Sequence, residues 1–325
     1  MINPEPLGQS SEFRIKGLAF DGAKRDCLFV VDSLAGCVRV YSLTEPPRVL
    51  DSIPCAEPSS VTLDHERQRL LVTSSSRCAV AVYSLVERAF LFEFSTGMAR
   101  FADPRQTALD HTHDRIIVAD TSNHRLQVRN ASDGSFLFSV GKHGYRSGHF
   151  SEPAGVAIDH DRHRIIVTDS NNHRVQVLSS IDGSFLFEFG SKGNQPCQLK
   201  HPQATCVDNQ GRIIVADFFN HRLQSFTHEG HHISSFDCGG AAPFGVAFDE
   251  HRGLIAFSTG HRVHVIGANQ WLADTFTWRV DRHRYAPSWM KQAVSTMTMI
   301  RSVVDESSAM SKIPNELLFE IFSWL

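Results

Sequence analysis

An acidic or imidazole side chain stands before a proline at Glu57-Pro58, Asp103-Pro104, Glu152-Pro153 and His201-Pro202, with Ala242-Pro243 in the next matching position. Proline fixes φ and so marks where a strand begins. If these starts gather around one channel, Glu57, Asp103, Glu152 and His201 ring its mouth as metal ligands. Clustered carboxylate oxygens suit a hard divalent cation such as calcium, and the histidine suits zinc or another transition metal. A second group is cationic: Lys142, His143, Arg146, His149, Lys192, Lys200 and His201 fall in two connecting segments, with Tyr145 and Phe150 beside them. On a chain of net charge -3 this local basic patch is a contact surface for a macromolecule. With bases stacked on its rings it becomes a site for single-stranded RNA. The sequence holds no G-x-S-x-G, H-E-x-x-H or phosphate-cradling loop. His111 with His113 and His231 with His232 read as exposed turn residues rather than metal pairs.

The elements that must position these residues are repeats. Ala108-Leu109-Asp110, Ala157-Ile158-Asp159 and Cys206-Val207-Asp208 recur 49 residues apart, each leading into a shared block. That block is Arg115 to Asp120 with Asn123 to Val128, Arg164 to Asp169 with Asn172 to Val177, and Arg212 to Asp217 with Asn220 to Gln224. Within one copy, Gly155 to Asp159 and Arg164 to Asp169 are β-branched runs around a polar turn, which is a hairpin signal. Ser170 to His173 form a second turn, and Arg174 to Val177 a third strand. Asp182-Gly183 turns the chain into Ser184 to Phe189, the fourth. Four antiparallel strands make one blade of a propeller. The inner-strand signature appears at Gly17 to Asp21, Ser60 to Asp64, Thr107 to Asp110, Gly155 to Asp159, Thr205 to Asp208 and Gly245 to Asp249, so an all-β, six-bladed β-propeller is expected. Phenylalanines of the fourth strands are expected to fill the wedges between blades. Asp120, Asp169 and Asp217 are assigned to the scaffold, accepting turn amide bonds while the arginines lie across neighbouring strands.

The Asn-His-Arg elements at Asn123 to Arg125, Asn172 to Arg174 and Asn220 to Arg222 resemble the NHL repeat family. The likeness runs over about residues 12 to 280, and it is clear in the third, fourth and fifth copies and degenerate elsewhere. It implies a binding platform for proteins and, in some members, for single-stranded RNA. After Trp278 the pattern changes to helical spacing, giving domains at 1–280 (propeller) and 281–325 (C-terminal helical pair). Ile313 to Leu325 resembles the opening helix of an F-box, which implies docking to a Skp-type ubiquitin-ligase adaptor, although only that opening is present.

Seven scattered cysteines without a C-x-x-C pair argue against a disulfide framework or zinc ribbon, and the start of the chain reads as neither leader nor membrane span. A cytoplasmic protein is expected, without a membrane or DNA-binding motif. The expected function is a non-enzymatic platform for a protein partner. Its crossover face would carry the contact through Lys142, His143, Tyr145, Arg146, His149, Lys192 and Lys200, with a role as ubiquitin-ligase substrate receptor open. The alternatives are RNA binding by the same face, or a metal-dependent propeller hydrolase or lyase using Glu57, Asp103, Glu152 and His201. No cofactor is expected beyond that divalent metal.

Overall fold

A computed structural model describes residues 15–21, 26–43, 47–95, 100–260 and 262–271. All lie within the compact unit Met1–Phe276. The expected helical pair, its F-box-like segment and the boundary at residue 280 lie outside the described residues.

The chain runs blade by blade, and within each sheet consecutive strands pair antiparallel in chain order. Blade one is β1 (Ile15–Asp21), β2 (Cys27–Asp32), β3 (Cys37–Ser42) and β4 (Val49–Pro54); blade two is β5 (Pro58–Asp64), β6 (Arg69–Ser74), β7 (Ala79–Ser84) and β8 (Phe90–Phe94). Blade three is β9 (Pro104–Asp110), β10 (Arg115–Asp120), β11 (Arg125–Asn130) and β12 (Phe136–Val140); blade four is β13 (Pro153–Asp159), β14 (Arg164–Asp169), β15 (Arg174–Ser179) and β16 (Phe185–Phe189). Blade five is β17 (Pro202–Val207), β18 (Ile213–Asp217), β19 (Arg222–Phe226) and β20 (His232–Asp237), and blade six is β21 (Pro243–Asp249), β22 (Leu254–Thr259) and β23 (Arg262–Gly267). The second strands are buried along their length, as apolar runs covered on both faces must be. The fourth strands are edges, and alternation turns every other ring outward. Phe92, Phe138 and Phe187 pack on the core, whereas Phe90 and Phe136 are 56% and 44% exposed. The wedges between blades are therefore filled by only part of the phenylalanine set.

The aspartate ending the second strand pairs in register with the arginine opening the third: Asp120 with Arg125, Asp169 with Arg174, Asp217 with Arg222. All three aspartates are fully buried. Each Oδ2 accepts from arginine Nε (2.8, 2.9 and 2.8 Å) and from a glutamine Nε2 of Gln127, Gln176 or Gln224 (2.7, 2.9 and 3.0 Å). The same oxygen accepts from Nδ2 of Asn123, Asn172 or Asn220 at 2.9, 2.8 and 2.9 Å. The Oδ1 atoms accept the backbone N–H of Ala102, Ser151 and Lys200, each at 2.7 Å, in the crossover from the previous blade. The aspartate partners are thus side chains and a crossover amide, not the amides of their own turn. Between strands the chain makes one 3₁₀ turn ending in His124, His173 or His221 at φ +54°, +57° and +55°, a left-handed position that histidine tolerates better than branched residues do.

Ring closure repeats an inner contact. Thr168 Oγ1 accepts from Gly155 N and donates to Gln203 O, joining blade four to blade five. Ser258 Oγ accepts from Gly245 N at 2.8 Å and donates to Lys16 O at 2.6 Å, joining blade six to blade one in the same way. Ile15 N also donates to Gly260 O at 3.2 Å. Among the described residues blade six has three strands, and the short helix α1 (Ala268–Trp271) follows them, placing Ala268 and Trp271 in that blade's core. Gly155 cannot carry a side chain, because a Cβ there would sit 2.4 Å from Gln203 O.

Arg174 is buried against Asp169 and Glu188. Asp169→Ala would leave that cation and the Ser151 amide without their shared acceptor, so a loss of about 3–5 kcal/mol is expected in urea unfolding. A loss below about 1 kcal/mol, the usual worth of an exposed pair, would contradict this role for the buried carboxylate.

Candidate functional site

Inner strands start at the crossover face, and the residue following each proline points into the channel. Ser59, Arg105, Ala154, Gln203 and Phe244 occupy that position, and together with Lys16 and Asp103 they line a cavity of about 150 Å³ to which all six blades contribute. The cavity has two characters. Leu18, Val246 and Phe244 form an apolar side, where Phe244 is steadied by Phe218 at 4.5 Å between ring centres. A polar set comes from blades three and five. Arg105 Nε lies 3.3 Å from Asp103 Oδ2, and its Nη1 donates to Gln203 Oε1 at 2.8 Å. Gln106 spans further, its Oε1 accepting from Val156 N and Thr205 N at 3.2 Å each and its Nε2 donating to Thr205 O at 3.0 Å. Side chains of Asp103 and Arg105 retain 34% and 37% exposure, so the pair is open to a ligand.

Of the expected ring, Asp103 lines this cavity and Glu57, Glu152 and His201 do not. All four hold left-handed backbone, with φ of +41°, +49°, +52° and +52° for Glu57, Asp103, Glu152 and His201. Proline disfavours the helical region for its predecessor, and left-handed backbone in a non-glycine residue costs on the order of 1–3 kcal/mol. Neighbouring blades hold two of them in place: Glu152 N donates to His124 Nδ1 at 3.1 Å and His201 N to His173 Nδ1 at 3.2 Å. In blade two Cys78 stands where these histidines stand. Among the described residues no three histidine, cysteine, aspartate or glutamate side chains converge as a metal set. The Asp103 carboxylate already has a cation beside it in Arg105. The residues present do not fit the divalent metal.

The cationic group sits on the two crossovers closed by the bridges His143 to Phe150 and Lys192 to Leu199. Lys142, His143, Arg146, Lys192 and Lys200 are exposed and His149 is partly buried. His143 lies against His124, with ring centres 4.4 Å apart. Tyr145 is 77% exposed, but Phe150 is fully buried and offers no face to a base. On the opposite face Asp110 and Asp159 are buried turn caps, accepting from His113 N and Arg162 N. His113 Nδ1 lies 2.8 Å from Asp110 Oδ2.

Sequence reasoning missed Arg105, Gln106, Gln203 and Phe244. A signal existed: after each proline the copies stop agreeing, reading Ser59, Arg105, Ala154, Gln203 and Phe244 in turn.

Three matches to the NHL repeat family model fall at residues 101–128, 150–178 and 199–226. No curated protein matches the sequence. Among solved structures, a gluconolactonase from Xanthomonas campestris is similar, with a TM-score of 0.64 over 78% of this chain and 85% of that one at 16% identity. At that identity the likeness carries the fold. Because the same fold there houses an enzyme, the expectation of a non-enzymatic platform for a partner on the crossover face is corrected. Among the described residues no helix is long and apolar enough to cross a membrane.

Burial, reinforced by His201, Lys192 and Lys200, holds the His173 imidazole below its ordinary value of 6.5, against the opposing pull of Asp217. Its neutral Nδ1 accepts the His201 amide, so this link contributes stability above that ordinary value and loses it as pH falls through the lowered one. His173→Gln should therefore flatten the decline in melting temperature between about pH 7.5 and 5. An unchanged slope would count against the link.

Proposed function

We propose that this NHL-repeat β-propeller is a hydrolase that opens a small cyclic ester at the crossover-face mouth of its channel. The observation that carries the reading is the Asp103–Arg105 pair, 3.3 Å apart and accessible in a cavity to which every blade contributes. The substrate class follows the gluconolactonase that shares the fold, and the polar and apolar sides of the cavity suit a ring with one hydroxylated face.

The chemistry asked of these residues is modest. Arg105 exchanges its bond to Gln203 for the substrate carbonyl oxygen, and its fixed charge stabilises the oxyanion that forms there. Asp103 accepts a proton from water as that water attacks the carbonyl carbon. The tetrahedral species then breaks the ring C–O bond, and protonated Asp103 returns the proton to the leaving alkoxide. Gln203 and Ser59 are placed to bond ring hydroxyls, while Phe244 and Leu18 cover the apolar face and limit water.

Hydrolysis of D-glucono-δ-lactone and related sugar lactones, followed by acid release, tests the reading. Asp103→Asn should lower kcat by roughly 10²–10⁴, and Arg105→Gln by about 10²–10³, with circular dichroism unchanged in both. Turnover no faster than spontaneous opening across the lactones, or turnover indifferent to both substitutions, would refute it.

A further inference from the structure

Blade two lacks the side chains that fasten blades three, four and five, and a cavity stands in their place. Aligned copy on copy, Ser74 replaces the aspartates Asp120, Asp169 and Asp217; Ala79 replaces the arginines Arg125, Arg174 and Arg222; Ala81 replaces the glutamines Gln127, Gln176 and Gln224. Cys55 stands where Phe101, Phe150 and Leu199 plug the wedge ahead of their inner strands. Four truncations converge on one volume. Cys55, Ser74, Ala79 and Ala81 all line a cavity of about 270 Å³. The backbone has not closed over it, because the crossover is still held by Ser74 Oγ donating to Ala56 O at 2.5 Å. The β6 to β7 pairing also continues in unbroken register from Arg69 with Ser84 to Ser74 with Ala79.

The lining states what could fill the space. Tyr83 and Phe90 form an edge-to-face pair with ring centres 5.7 Å apart, and Val72 adds an aliphatic wall. At the mouth Arg77 and Glu93 pair at 3.0 Å and cancel each other's charge, which leaves no net attraction for an anion or a cation. The Cys55 thiol is pushed up to about 12 by burial and stays neutral. A dry apolar cavity of about 150 Å³ is enough to hold benzene in another protein, so the larger volume here accommodates a bicyclic ring.

We propose that the blade-two cavity is a binding site for a neutral aromatic molecule of one or two rings, inserted past Arg77 and Glu93 onto the Tyr83–Phe90 pair. The site is separate from the channel and does not depend on the hydrolase reading.

Indole is the probe, followed by ligand-observed saturation-transfer NMR on the full chain. Saturable binding is expected in the wild type. Restoring the missing fastening with Ser74→Asp, Ala79→Arg and Ala81→Gln together should weaken binding by at least about tenfold. The single substitution Cys55→Phe, native at the equivalent place in blades three and four, should do the same and serves if the triple variant does not fold. Absence of saturable binding to the wild type means a hydrated void and overturns the proposal. So does binding that survives in a folded, filled variant.

Discussion

A carboxylate buried at the end of the second strand in blades three, four and five governs this molecule. Asp120, Asp169 and Asp217 are fully enclosed, and a charge in that position is tolerable only when every lone pair is taken. Arginine, glutamine and asparagine of the same blade meet one oxygen, and an amide of the incoming crossover meets the other. The arginine then continues outward: Arg174 Nη2 donates to Arg146 O and His149 O, and Arg222 Nη2 to Gln195 O and Gln198 O. One residue type thereby binds the blade's own turn to the loop that delivers its inner strand. Removing any partner strands a buried charge, so the arrangement is kept or lost as a unit.

Fastened crossovers explain why unlike side chains can meet at the channel mouth. In blades two to five the residue before the proline is held at a left-handed φ, and the residue after it lines the channel cavity. Nothing about the fastening specifies what that inward side chain is. Blade three can place Arg105 there, blade five Gln203 and blade six Phe244 without disturbing the strands behind them. Where the fastening is absent, as in blade two, the lost side chains leave space within the blade instead of at the channel.

The sequence made the period, the six inner strands and the turn histidines legible, because each copy repeats the same backbone requirement. Ring closure was not legible. It rests on Ser258, in the place of Thr168, meeting Lys16 across the two ends of the propeller, and no shared letter marks that pair. The four residues before proline drew notice through their type, yet only Asp103 reaches the cavity, since a shared place in the repeat does not aim side chains at a common point. Arg105 and Gln203 escaped notice because a single arginine or glutamine in a strand has no signature; they meet only through a hydrogen bond across 98 residues of chain. Phe150 read as a surface ring beside a basic loop, but its loop folds back and the ring becomes core. The cavity of blade two went unread in Ser74, Ala79 and Ala81, because small residues in a strand do not say whether the backbone collapses around them.

The most direct measurement is a crystal structure with D-gluconolactam, in which an amide replaces the scissile ester. Its carbonyl oxygen is expected within hydrogen-bond reach of the Arg105 guanidinium, with an ordered water on Asp103 facing the carbonyl carbon. A lactam bound on the basic crossovers, or an empty channel at saturating lactam, would contradict it.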